Sequence, residues 1–288
     1  MDWQDRMEQA LTYLENNLTG VIDQEQAARE ANCSVFHFMR MFGIITGSSP
    51  AEYVRRRKLS CAAMELASSK MKIIDIALKY GYESPDAFAR AFRREFNCLP
   101  SEARKEGVQL HAYPPISFSI ALKGDKPMEY RIETSPEFSL TGLSLRCNNK
   151  DGSNFIAIPA FWDRVMQGKQ WKSLCAKSGK TLGIVGVCYD FDMQTGDFSY
   201  AIAIETPAEK NDLPEECEDI LIPESTWAKF TSRGPIRPNL QETVKRIFSE
   251  WFPSSGREHA GTAEIEYYPP LPNCDSPDYW CEYWVPVM

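Results

Sequence analysis

Ile76-Ala77-Leu78-Lys79-Tyr80-Gly81-Tyr82-Glu83-Ser84-Pro85-Asp86-Ala87-Phe88-Ala89-Arg90-Ala91-Phe92 decides the fold of the N-terminal part of this chain, because its framework occurs twice. Ala27, Ser34, Phe38, Arg40, Phe42, Pro50 and Glu52 return as Ala77, Ser84, Phe88, Arg90, Phe92, Pro100 and Glu102, each offset by fifty residues without a gap. Seven matches in one register imply two copies of one supersecondary unit. In each copy a short helix carries a small alanine toward its partner, over Gln24–Ala31 and Ile73–Tyr80. A turn follows, with Gly81 suited to the left-handed conformation after a helix. Ser34 and Ser84 are natural N-caps, and Pro85 takes the first helical position, where its missing N–H costs nothing. The second helices place Phe38/Phe42 and Phe88/Phe92 at i, i+4 on a buried face. Two short helices joined by a tight turn form a helix-turn-helix.

Working outward, Trp3, Met7, Ala10, Leu11, Leu14 and Leu18 fall at helical spacing over residues 2–18. Residues 50–67 predict a long helix that holds the two units at a fixed separation. The charge supports a polyanion partner only once it is divided by position. Residues 26–107 carry fourteen basic and nine acidic residues, net +5, although the whole chain is −8. Local sign matters more to a polyanion than the total.

This segment resembles the AraC/XylS transcription regulators, whose signature it carries as Ile76-Ala77, Gly81-Tyr82, Ser84, Phe88, Arg90 and Phe92. The resemblance implies promoter DNA as partner, with two recognition helices in successive major grooves. By position, the base contacts it implies are Phe36, Met39, Arg40, Asp86 and Arg90. Arg40 and Arg90 suit bidentate contact to guanine. A structural salt bridge is the competing reading for both. Met39, Pro85 and Asp86 stand where glutamine is common in the family, so the second helix is expected to read less sequence than the first. Phosphate contacts are expected from Arg55, Arg56, Arg57, Lys58, Arg93, Arg94 and Lys105; a merely solvated helix face is the alternative for the run 55–58.

After Gly107 the pattern changes. Residues 108–127 read as a linker, and seven strand-like runs follow: 128–133, 138–145, 182–189, 198–204, 227–232, 263–268 and 279–285. Helical stretches at 158–167 and 239–251 interrupt them. The expected architecture is therefore multidomain. An all-α double helix-turn-helix domain (1–107, units at 24–46 and 73–97) precedes an α+β domain with an antiparallel sheet (128–288). Glu266-x-Tyr268, the closing Trp284-Val285-Pro286-Val287, and Trp227–Arg233 leading through Gly234 to a helix are similar to the GyrI-like effector-binding domain. The whole order resembles Rob-type regulators.

That resemblance implies a small-molecule effector, a lipophilic cation held by a carboxylate among aromatic rings. Glu266 is the expected carboxylate; Tyr268, Trp162, Trp227, Trp280 and Trp284 are the aromatic candidates. Core packing is the plain alternative for any one tryptophan. The family also implies activation through RNA polymerase. Two other readings stay open: a second domain that only binds proteins, and a hydrolase in which a glutamate beside a tryptophan activates water. Neither catalytic residues nor a cofactor is expected. The nine scattered cysteines and three histidines give no metal-ligand spacing. An acidic N-terminus and the lack of a long apolar run favour a cytoplasmic protein without membrane contact.

Overall fold

The computed structural model describes residues 3–105, 108–117, 127–148, 153–179, 181–192, 195–269 and 273–288. Residues 118–126 of the expected linker, and Gly107 at its boundary, lie outside them. Contacts divide the chain into Met1–Phe38 with Pro50–Ala121, and Met39–Ser49 with Leu122–Met288.

The helices run α1 (Trp3–Asn16), α2 (Gln24–Glu30), α3 (Val35–Thr46), α4 (Pro50–Ser68), α5 (Ile73–Lys79), α6 (Pro85–Phe96) and α7 (Pro100–Ala103). The division of the chain falls inside α3. Local chemistry matches the expected turns. Ser84 Oγ accepts from the Ala87 N–H at 3.1 Å, Ser34 Oγ accepts from the His37 N–H at 3.2 Å, and Gly81 has φ +81°. In the first unit Leu59, Leu66, Ile76, Ala77, Phe88 and Phe92 form one buried cluster, with the Phe88 and Phe92 ring centroids 5.5 Å apart.

In the second unit, β1 (Tyr130–Ser135), β2 (Phe138–Asn148), β3 (Ile184–Tyr189), β4 (Asp197–Glu205), β5 (Glu218–Ile222), β6 (Ser225–Arg233), β7 (Glu264–Tyr268) and β8 (Trp280–Pro286) join in one sheet. Its order is β1-β6-β8-β7-β3-β4-β2-β5, antiparallel throughout. Helices α8 (Asn154–Gln167), α9 (Lys169–Lys177), α10 (Ile236–Arg246), a π-helical turn (Ile247–Trp251) and α11 (Phe252–Ser255) complete it. Neither α9 nor β5 belongs to the sequence-based expectation.

Strand alternation gives the sheet two faces. On one, Phe161, Val165 and Leu174 of α8 and α9 pack on Leu143, Cys147, Tyr200 and Ile202. On the other, Val185, Val187, Ala201, Ala203, Trp227, Ile265 and Trp284 cluster with no residue from a helix among the buried members. All nine cysteines are free thiols. Among the described residues no helix is long and apolar enough to cross a membrane.

The second helix-turn-helix depends on Phe88, which is fully buried. Phe88→Ala is expected to cost about 3–5 kcal/mol in urea unfolding. Arg93→Ala, at an exposed position, should stay within about 0.5 kcal/mol. Equal effects would contradict the assigned core.

Candidate DNA-reading and cation-binding sites

The two copies of the repeat present their reading residues differently. On α6, Asp86, Arg90, Arg93 and Arg94 are exposed, as is Lys105 beyond α7. On α3, Phe36 is half-buried and Met39 is buried. Arg40, grouped with the sheet unit, is only 15% exposed. Its Nε donates to Glu264 Oε1 at 2.6 Å, and its Nη2 donates to Glu264 Oε2 and, at 3.3 Å, to the Tyr283 hydroxyl. The guanidinium carbon lies 5.6 Å from the Phe191 ring centroid and 5.9 Å from that of Phe248.

The basic run on α4 is mostly structural. Arg57 is buried and donates twice to Glu15 at 2.8 Å, and to the Tyr113 carbonyl. This is a correction to its expected phosphate role, since its donors are turned inward. Arg55 bridges Glu52 and Glu95, tying α4 to α6. Arg56 lies 2.9 Å from Glu52 and over the Tyr113 ring, and Lys58 donates to the Gly20 carbonyl at 3.1 Å.

Around Arg40 the sheet supplies a built carboxylate site. The Glu264 side chain is fully buried. It also accepts from the Tyr283 hydroxyl, and His259 Nε2 stands 3.1 Å from its Oε1. His259 Nδ1 accepts from the Gly261 N–H at 2.9 Å, so the tautomer that fits carries its proton on Nε2, on the side of Glu264. Burial pushes the Glu264 pKa up, but the charge and hydrogen bonds of Arg40, with His259 close by, outweigh it and hold the carboxyl well below the usual range. Burial lowers the pKa of His259 and favours its neutral form.

Two residues along β7 and on the same face, Glu266 has the opposite shift. Burial raises its pKa, hydrogen bonds from Tyr200 and Tyr268 pull against that, and the Glu264 charge adds to the rise. Both hydroxyls donate to Glu266 Oε2, that of Tyr268 at 2.7 Å. Trp162 Nε1 donates to the Tyr200 hydroxyl at 2.7 Å and its ring meets Tyr268 edge-on. Gly186, paired with Glu266 on β3, leaves room for this approach, because a Cβ there would strike both the Tyr200 hydroxyl and Glu266.

Trp227, Trp280 and Trp284 do not join Glu266, Tyr268 and Trp162, which corrects the expectation of a single ligand site. Trp284 lies opposite Ile265 in the ladder, so it shares Ile265's face, and Trp280 follows by period two. There Trp284 stacks on Tyr267, meets Trp227 edge-on, and Tyr267 contacts Trp280. Glu282 was not among the expected residues, yet its Oε2 accepts from Trp284 Nε1 at 2.7 Å and its carboxylate accepts two bonds from Arg131. The Lys229 ammonium sits 3.8 Å from the Trp284 ring centroid and pairs with Glu133 at 2.6 Å. The Glu282-x-Trp284 alternation was the available signal. A carboxylate, a tryptophan-rich cage and a resident ammonium thus occupy one face of the sheet.

Residues 128–288 match the family described as the GyrI-like small molecule binding domain, and residues 27–106 match a helix-turn-helix domain. The transcriptional regulator Rob of Salmonella typhimurium is 25% identical over 96% of this chain and 96% of its own. The regulatory protein SoxS of the same organism is 33% identical over 36% of this chain and 97% of its own. Among solved structures, SAV2435 bound to tetraphenylphosphonium has a TM-score of 0.50 at 22% identity, covering 56% of this chain and 94% of that one; this is a likeness of fold. The double helix-turn-helix and the sheet domain define a DNA-binding transcription regulator. The chain belongs to the GyrI-like family, joined to an AraC/XylS-type DNA-binding domain in the Rob-type architecture.

The opposite shifts on β7 give a pH signature. A carboxyl whose folded pKa is raised contributes stability below its unfolded pKa and loses it as pH rises through the folded value. Glu266→Gln is therefore expected to gain stability relative to wild type as pH climbs above the ordinary 4.5. Glu264 stays ionised across this range in both folded proteins, so its titration drops out of the difference. Unfolding midpoints measured across pH 4–8 check this; a difference that stays constant, or moves the other way, contradicts it.

Proposed function

We propose that this regulator activates transcription when its GyrI-like domain binds a lipophilic cation in the Trp227/Trp280/Trp284 cage, with Glu282 as counter-charge. One observation carries the reading: Lys229 already holds an ammonium 3.8 Å over the Trp284 ring, whose Nε1 donates to the buried Glu282. A delocalised organic cation gains the same ring-face attraction, loses less hydration on entry than an ammonium, and covers more aromatic surface. Glu266 suits the role less well, because its environment favours the neutral form. A protein of the same fold is known with tetraphenylphosphonium bound, which makes that cation a fair probe.

On the DNA side, Phe36, Met39, Arg40, Asp86 and Arg90 are proposed to face bases, and Arg93, Arg94 and Lys105 to face phosphates. Activation through RNA polymerase follows the family resemblance, as does a cytoplasmic location. The relatives are transcription regulators, which favours a non-enzymatic protein.

Tetraphenylphosphonium should quench tryptophan fluorescence saturably. Charge-assisted contacts are worth ~1.5–3 kcal/mol, so Glu282→Gln is expected to weaken binding by about ten- to a hundredfold. Lys229→Ala should tighten it by vacating the face of the Trp284 ring, and Glu266→Gln should change it little. A loss confined to Glu266→Gln would move the ligand to the other face of the sheet. No quenching by any lipophilic cation would favour a protein-interaction module.

For DNA, Arg90→Ala should cost ~1–3 kcal/mol of discrimination between promoter and unrelated duplex. Arg94→Ala should instead weaken both and lower the salt slope by about one. Electrophoretic titrations at several salt concentrations read both effects; indistinguishable slopes would reject the assignment.

A further inference from the structure

Arg40 and Arg90 stand at the same position of the repeat, yet their environments differ completely. Arg90 is exposed. Arg40 is grouped with the sheet unit, its side chain 15% exposed, and Glu264, which receives it, has a fully buried side chain. Around that carboxylate stand the Tyr283 hydroxyl and His259 Nε2, and the rings of Phe191 and Phe248 flank the guanidinium. The combination of a bidentate acceptor with ring faces suits a planar guanidinium better than an ammonium.

We propose that Glu264, Tyr283, His259, Phe191 and Phe248 form a guanidinium-binding site whose resident occupant is Arg40, so that this site and promoter DNA compete for the same side chain. The inference rests on the reading of Arg40 as a base-contacting residue. Competition follows from donor geometry. Arg40 presents Nε and Nη2 to the two oxygens of Glu264, and bidentate contact to guanine O6 and N7 needs a comparable donor edge of the guanidinium. One fork cannot serve both acceptors at once. Met39, the neighbouring reading residue of α3, is also buried. With Arg40 seated, the first recognition helix lacks its principal base contact, and the exposed reading residues are those of α6. Only the fraction of molecules with Arg40 released binds promoter through α3, and apparent affinity falls by that fraction.

The test uses the full chain. Glu264→Gln keeps the shape of the site but removes the charge that holds the guanidinium. It is expected to raise affinity for the cognate promoter by tenfold or more, with little change on unrelated duplex. Arg40→Ala should abolish that gain and lower specific binding in the wild-type background. In the unmutated protein, the Arg40 Nε–H resonance should show slow exchange when DNA is absent and shift when promoter is added.

If Glu264→Gln is folded and binds promoter no better than wild type, the competition is rejected. If Glu264→Gln fails to fold, the resonance decides alone: an unchanged Arg40 signal in the promoter complex rejects the proposal. If Arg40→Ala retains full specificity, the base-reading assignment itself is wrong, an outcome distinct from a failed competition.

Discussion

Period-two alternation along one continuous antiparallel sheet governs on which face the strand-borne functional groups of residues 128–288 are found. Glu264, Glu266 and Tyr268 point to one face, while Ile265 and Tyr267 point to the other. The same rule acting on β8 sends Tyr283 toward the two glutamates of β7 and Trp284, with Glu282, away from them. A single strand thickness therefore separates two acidic, aromatic-rich clusters. Each already holds a cation from the chain itself, Arg40 on one face and Lys229 on the other. The position of each is inherited from the ladder register, and a one-residue slip would exchange the clusters.

Electrostatics then separates groups that sequence alone treats alike. Glu264 and Glu266 differ by two positions on one strand, yet one is held ionised and the other is pushed toward its neutral form. Glu264 is buried and Glu266 half-buried, and their oxygens meet different groups. Glu264 meets a full positive charge, and Glu266 meets only hydroxyl dipoles. A buried ion pair adds little net stability compared with apolar packing, but losing one partner leaves an uncompensated charge and is costly.

The fifty-residue repeat likewise shows how one motif serves two environments. Ser34 and Ser84 both cap their helices through the same kind of hydrogen bond, and Phe38, Phe42, Phe88 and Phe92 are all buried. The motif's local chemistry is preserved in both copies. Its reading residues are not equivalent, because the surroundings of Arg40 are supplied by strands more than two hundred residues away. The basic run of α4 behaves in a related way: Arg55 and Arg57 serve mainly to tie helices together.

Much was legible in the sequence because it is local. Helix starts, the glycine turn and the phenylalanine pairs follow from caps, propensity and spacing within a dozen residues, and the repeat shows when the two copies are laid side by side. The antiparallel α+β class followed from alternating apolar runs. The strand β5 escaped because an edge strand beginning Glu218-Asp219 carries charges where a central strand carries apolar residues. The helix α9 escaped because it is short and follows directly on Gly168. The partition of six ligand candidates between two faces needed the cross-strand register, and the seat of Arg40 needed contacts spanning most of the chain. The sequence by itself determined which units form and which chemistry they carry, since those are short-range consequences of residue type. Only the tertiary structure decided which charges meet, because pairing depends on strand order and packing that local spacing does not encode.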